Sequence, residues 1–254
     1  MIRKTLKDIK KATFSLLVPS LNPKENGMPI PNGTCFFISS EGYILTANHV
    51  IDQFNNSQFV LERPGEQWND IGAMVHEVSV IRQWPQFDMT LLKANYEKNA
   101  DKACFYGLSG FPFIEIDFNH QEDGAPVYSF GFPLPEYFCQ DSGDIRIGHV
   151  GLCPRTTSAM ISSSIEMSMM IRTPNDPKKY VLDKALNYGN SGGPIILQEN
   201  GKVFAICARF QPMHVPQPPN GSSSVLMPSL YGVVMSISNN KDELLKIGAI
   251  NCHT

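Results

Sequence analysis

Residues 189–194 read Gly189-Asn190-Ser191-Gly192-Gly193-Pro194 and run directly into the apolar stretch Pro194–Leu197. A serine set among glycines needs a reason. A nucleophilic serine has to project from a tight backbone turn, with the amides around it free to point at a developing oxyanion. Gly189 and Gly192 permit that close approach, and Pro194 then begins a strand. The same six residues could also form an ordinary Gly-rich surface turn, so the motif alone leaves both readings open.

Two further segments bear on that choice. Upstream stands Cys35-Phe-Phe-Ile-Ser-Ser-Glu-Gly-Tyr-Ile-Leu-Thr-Ala-Asn-His49-Val. It reads as a hairpin turning at Ser40-Glu41-Gly42, with His49 in a small-residue turn at the end of its second strand. The other five histidines, at positions 76, 120, 149, 214 and 253, have no comparable setting. Between the two lies Phe87-Asp88-Met-Thr-Leu-Leu-Lys93, an acid at the entry to an apolar strand. Such an Asp can simply cap a turn. A buried Asp accepting from a histidine Nδ1–H is also what fixes the tautomer of a general base.

The surrounding sequence is rich in short strands. Thr34–Ser39, Tyr43–Thr46, Gln58–Glu62, Met74–Ile81, Met89–Ala94, Val127–Phe132, Pro194–Leu197, Val203–Phe210 and Tyr231–Ile237 are separated by Gly, Pro and Asn punctuation, as in an all-β sandwich or barrel. Near the N-terminus a basic stretch precedes the apolar Ala12–Val18, which reads as a first strand rather than a signal peptide. Helix is expected chiefly over Lys241–Ile250, with Asn239 or Asn240 as N-cap. Glu97–Gly110 is weakly patterned and suits a crossover between two halves. Pro212–Pro228 reads as a long Pro/Ser/Gly-rich surface loop.

Composition narrows the function classes. With 254 residues, 42% hydrophobic and 18% charged, the chain can bury a substantial core. A net charge of -3 without a long basic block predicts no nucleic-acid surface. No run of 18 apolar residues provides a membrane span. The six cysteines (35, 104, 139, 153, 207 and 252) contain no CxxC spacing and are read as reduced thiols of a soluble cytoplasmic protein. No metal site and no cofactor motif is expected.

Taken together, YILTANHV around His49, FDMTLLK around Asp88 and DKALNYGNSGGP around Ser191 resemble the trypsin-like serine peptidases, and most closely their HtrA/Deg-type branch. The order His, Asp, Ser and the separations of 39 and 103 residues fit as well. The resemblance spans roughly residues 12–238. It implies two six-stranded antiparallel β-barrels, with residues 1–110 carrying His49 and Asp88 and residues 111–254 carrying Ser191. It further implies that His49 takes the proton of Ser191, that Asp88 orients His49, and that the Gly189 and Ser191 amides form the oxyanion hole. Ala185, Arg209 and Gly232 fall at the primary specificity pocket. Lacking an Asp at its base, that pocket suits a small or medium apolar residue rather than Lys or Arg.

Asn190 departs from the Asp that secreted digestive members carry there to receive a new N-terminus. Activation by N-terminal cleavage is therefore not expected. The neutral side chain predicts a more readily displaced 182–188 loop and a resting oxyanion hole that bound peptide, or an unknown activating partner, would complete. With 63 residues after Ser191, no PDZ-like region is expected in this polypeptide. A viral-type relative with a Cys nucleophile is disfavoured by Ser191. The reading in another class is a protease-fold binding or sensor module that has lost turnover. The expected partner is otherwise a protein or peptide substrate.

Overall fold

Leu6, Ile9 and Ala12 recur at helical spacing within an otherwise basic stretch, and they seat an N-terminal helix, α1 (Ile2–Ala12), on the core. Lys10 and Lys11 lie in its last turn, where the helix dipole favours cations. The Thr13 hydroxyl donates to the Ile9 carbonyl at 2.8 Å and closes the end. The computed structural model describes residues 2–21, 29–54, 59–62, 76–94, 110–142, 145–164, 176–216 and 224–250. The expected first strand follows the helix as β1 (Thr13–Pro19). The helix itself was hidden in the sequence by its high charge.

Strands β1, β2 (Pro29–Phe37), β3 (Tyr43–Thr46), β4 (Phe59–Glu62), β5 (His76–Trp84) and β6 (Met89–Ala94) form a closed antiparallel barrel. Its order is β1-β2-β3-β6-β5-β4, with β4 returning to β1. The β2–β3 hairpin turns at Gly42, whose φ of 91° is left-handed and suits glycine. All of β1 from Thr13 to Val18 is buried, because one face fills the barrel and the other meets the second half of the chain.

The second half contributes β7 (Pro126–Gly131), then a separate two-stranded ribbon of β8 (Glu136–Ser142) and β9 (Ile145–Gly151). It continues with β10 (Arg155–Ser163), β11 (Lys179–Leu182), β12 (Pro194–Leu197), β13 (Val203–Pro216) and β14 (Ser224–Ser236). Apart from the ribbon, these strands make a curled sheet ordered β10-β11-β14-β13-β12-β7, in which β7 also meets β10. Its β10–β11 seam is thin, pairing at Ile161–Leu182 and Ser163–Val181 with an irregularity between them. This half is thus more open than the first barrel.

Several expectations need correction. Strands β8 to β11 were not read from the sequence. In β10 only Ala159 and Ile161 are buried, so a mostly polar strand carried little apolar alternation. The supposed surface loop over Pro212–Pro228 is largely an extension of β13 and β14, paired from Pro212–Pro228 out to Pro216–Ser224. A two-stranded ribbon outside the sheet tolerates prolines that an inner strand would not. The suggested crossover segment 97–109 lies outside the described residues.

Helix α2 covers Lys241–Ile247, shorter than expected because Gly248 adopts φ 76° and ends it with a left-handed cap. Asn240 occupies the N-cap position but does not cap; its amide donates to Met89 Sδ at 3.1 Å. Asn239 instead binds the Lys178 backbone, donating to its carbonyl and accepting from its N–H. Leu244 is fully buried in the same apolar cluster as Phe14, Phe36 and Leu91, so α2 packs against the first barrel. Among the described residues no helix is long and apolar enough to cross a membrane.

Candidate active site

Two tight turns of the first barrel bring His49 to Asp88. His49 sits in a 3-10 turn (Asn48–Val50) directly after β3, and Asp88 ends another (Pro85–Phe87) directly before β6. Because β3 and β6 are paired neighbours, these two ends fall side by side. Asp88 is left-handed at φ 45°, ψ 45°, a conformation that Asp tolerates better than most residues. Its carbonyl accepts from the Asn48 N–H at 3.1 Å and its Oδ1 from the His49 N–H at 3.0 Å. His49 Nδ1 then lies 3.0 Å from Oδ1 and 2.9 Å from Oδ2. The carboxylate is not buried as expected: the Asp88 side chain is 27% exposed and that of His49 44%.

Ser191 comes from the opposite half, on the loop before β12. Gly189 (φ 93°) and Gly192 (φ 81°) are both left-handed. A Cβ on Gly192 would run into the Thr34 carbonyl and the Thr46 hydroxyl. The loop is held from the first barrel by buried Thr34 of β2. Its N–H donates to the Ser191 carbonyl at 2.8 Å, and its Oγ1 donates to the Gly189 carbonyl at 2.6 Å while accepting from the Phe132 N–H at 3.2 Å. Strand β13 closes the other side, the Gly192 N–H donating to the Cys207 carbonyl and the Cys207 N–H to that of Gly193.

The amides of Gly189 and Ser191 donate to no other described residue. The Tyr188 carbonyl, which shares a peptide with the Gly189 N–H, accepts from Leu134 N–H at 2.8 Å. Since the C=O and N–H of a peptide point in opposite directions, the Gly189 N–H faces away from Leu134. That bond holds the Tyr188–Gly189 peptide in this orientation. Asn190 is buried beside Gly131. Among the described hydrogen bonds, none joins His49 to the Ser191 hydroxyl.

His49 and Ser191 line one cleft of about 570 Å³ between the two halves. Of the expected pocket residues, Arg209 lines this cleft and Ala185 and Gly232 do not. Leu186 stands there instead, packed so that a Cβ on Gly232 would come within 3.3 Å of its side chain. Among the described residues, no acidic one lines the cleft. Cys207 lines it too, and burial, reinforced by the nearby Asp88 charge, pushes its thiol well above the ordinary range. Among the described residues no cluster of three or more His, Cys, Asp or Glu side chains could hold a metal ion. Sequence reading missed Thr34, Asn32 and Tyr188; each acts through a partner more than a hundred residues away or on the far side of the cleft, and no local motif marks it.

Comparison with known proteins adds to this geometry. The family model described as "Trypsin-like peptidase domain" matches residues 33–206. A relative from Bartonella henselae, named "Probable periplasmic serine endoprotease DegP-like", is 29% identical over 197 residues, which cover 76% of this chain. The match takes in 31% of that relative, so the chain spans about a third of its length. A trypsin-like match reaching from β2 to β13, across both Asp88 and Ser191, shows that the chain belongs to the trypsin-like peptidase domain family, a family of serine-endopeptidase hydrolases.

Proposed function

We propose that the chain is a serine endopeptidase in which Ser191 is the nucleophile, His49 the general base and Asp88 the acid that orients it. The observation that carries this is the contact of His49 Nδ1 with both oxygens of Asp88 in a cleft it shares with Ser191. An Nδ1–H held by a carboxylate leaves Nε2 unprotonated and able to accept the Ser191 proton. The Ser191 oxygen then attacks the scissile carbonyl, and the Gly189 and Ser191 amides receive the charge that builds on its oxygen. His49 returns the proton to the leaving amine, giving an acyl-enzyme that water hydrolyses by the same steps in reverse. Two full six-stranded barrels, divided near residue 110, are part of this reading.

The substrate is a protein or peptide. Arg209, with no acid among the described residues of the cleft, disfavours Lys or Arg before the scissile bond, and Leu186 and Ala208 favour a small or medium apolar side chain there. We also propose a cytoplasmic location, supported by the unpaired Cys35, Cys153 and Cys207 among the described residues. A fluorophosphonate probe tests the central claim. Wild type should be labelled at Ser191 and Ser191→Ala should not. A folded wild type that stays unlabelled would establish the silent binding module instead.

A further inference from the structure

The cleft has two unlike halves. The residue that protonates the leaving amine must lie beside it, so the segment after the scissile bond crosses the His49 side of Ser191. There the large side chains come mainly from the first barrel and are apolar, Val18 and Leu21 at the end of β1, Ile30 on β2, and Phe54 beyond His49, with Ser20, Asn32 and Gln53 among them. Leu21 is 66% exposed and Tyr188 64%, both large apolar surfaces facing solvent at the mouth of the cleft. Tyr188 is fixed across the gap. Its hydroxyl donates to Asn32 Oδ1 at 3.1 Å, and the Asn32 amide donates in turn to the Val50 carbonyl at 2.6 Å. A side chain from the second half is thereby fastened to the first, one residue before Gly189.

Resting on the peptidase reading above, we infer that this basin selects an apolar residue immediately after the scissile bond, with Tyr188 as the specificity-determining wall and Asn32 as its positioning residue. Leu21 and Tyr188 leave water only when such a side chain fills the space between them, so an apolar leaving group gains burial that a polar one does not. Specificity on this side is separate from the Leu186 and Arg209 side, which holds the acyl portion.

Acyl transfer reads this subsite directly. An activated ester loads Ser191, and an added amino-acid amide then competes with water for the acyl group. The new C–N bond forms as the Ser191 Oγ–C bond breaks, and His49 carries the amine proton to Ser191 Oγ. Leucinamide should capture the acyl group about tenfold better than glycinamide or aspartic acid amide, the usual scale of discrimination by an apolar pocket. The ratio is taken within one acyl-enzyme, so it does not depend on how much enzyme is active. Tyr188→Ala should bring the ratio close to one, and Tyr188→Phe should restore part of it. Leu21→Ser, at an exposed position on the opposite wall, should lower the ratio without risk to folding. Equal capture of all amides by wild type, or an undiminished ratio in Tyr188→Ala and Leu21→Ser, would overturn the inference while leaving the peptidase intact. Absence of any Ser191-dependent ester hydrolysis would overturn the peptidase reading first.

Discussion

The acid–base side and the nucleophile side of the cleft are held by different means. On the first barrel, Asp88 and His49 are locked by bonds between adjacent backbone turns, so the carboxylate is aimed by the same peptide groups that shape its loop. On the second half, Ser191 sits on a loop with left-handed glycines on either side, the amides of Gly189 and Ser191 left unengaged, and its position is set by Thr34 reaching over from the first barrel. One side is rigid by local design and the other is rigid by borrowing. A base needs a fixed tautomer and direction, whereas an oxyanion site needs donors that nothing else occupies.

The contrast can be broken from either side. Ser191→Ala or His49→Ala should lower kcat/KM by about 10⁶, the scale of losing a triad member that acts as one unit with the others. Folding, followed by circular dichroism, should be unchanged. Asp88→Asn should cost about 10⁴ in kcat, because an amide at that place favours the wrong histidine tautomer. Steady-state kinetics that kept near-normal rates in Ser191→Ala would end the assignment.

Thr34→Val probes the borrowed side. It keeps the shape of the residue but strands the Gly189 carbonyl in a buried place, a loss of about 1–3 kcal/mol of stability. Thermal melting should show that loss, and kcat should fall with little change in KM. Thr34→Ser should recover most of both. If Thr34→Val instead moved the pH profile of the reaction, the threonine would be acting on His49 and the division between the two sides would fail.

The smallest expected effect concerns thiols. Cys35 and Cys207 are buried and their thiols are pushed upward by that burial, whereas Cys153 is exposed. A thiol reagent should react with Cys153 in the native protein and reach Cys35 and Cys207 only after unfolding. Denatured without reductant, the chain should take up six equivalents, one for each cysteine. A lower count would reveal a disulfide and remove the support for a cytoplasmic location.

How much of this was legible in the sequence depended on locality. Strands β3, β6 and β12 were read with their observed bounds, since each is a short apolar run between clear turn residues. His49, Asp88 and Ser191 were singled out because each lies in a contiguous motif. Polar β10 and the proline-bearing ends of β13 and β14 were not seen as strands, because their pairing and not their composition makes them so. Tyr188 and Asn32 stand 156 positions apart, and the Thr34–Gly189 bond spans 155. Only a folded chain shows that such residues meet. Nor does a local motif tell which residue of the 182–188 loop faces the cleft: Leu186 lines it and Ala185 does not.

The docking of α2 on the first barrel has a consequence for how the chain folds. Leu244 and Ile237 share a core with Ile9 and Phe14, and the Asn240–Met89 bond links positions 151 apart. During synthesis at roughly 5–20 residues per second, the first barrel waits many seconds for the segment that completes its packing. Contacts of such long range close late and slow the search. The nascent barrel therefore has its six strands before it has the apolar side chains of residues 237–250 that complete its packing. Ribosome-stalled chains ending before residue 237 should accordingly be far more sensitive to an added protease than chains released beyond residue 250.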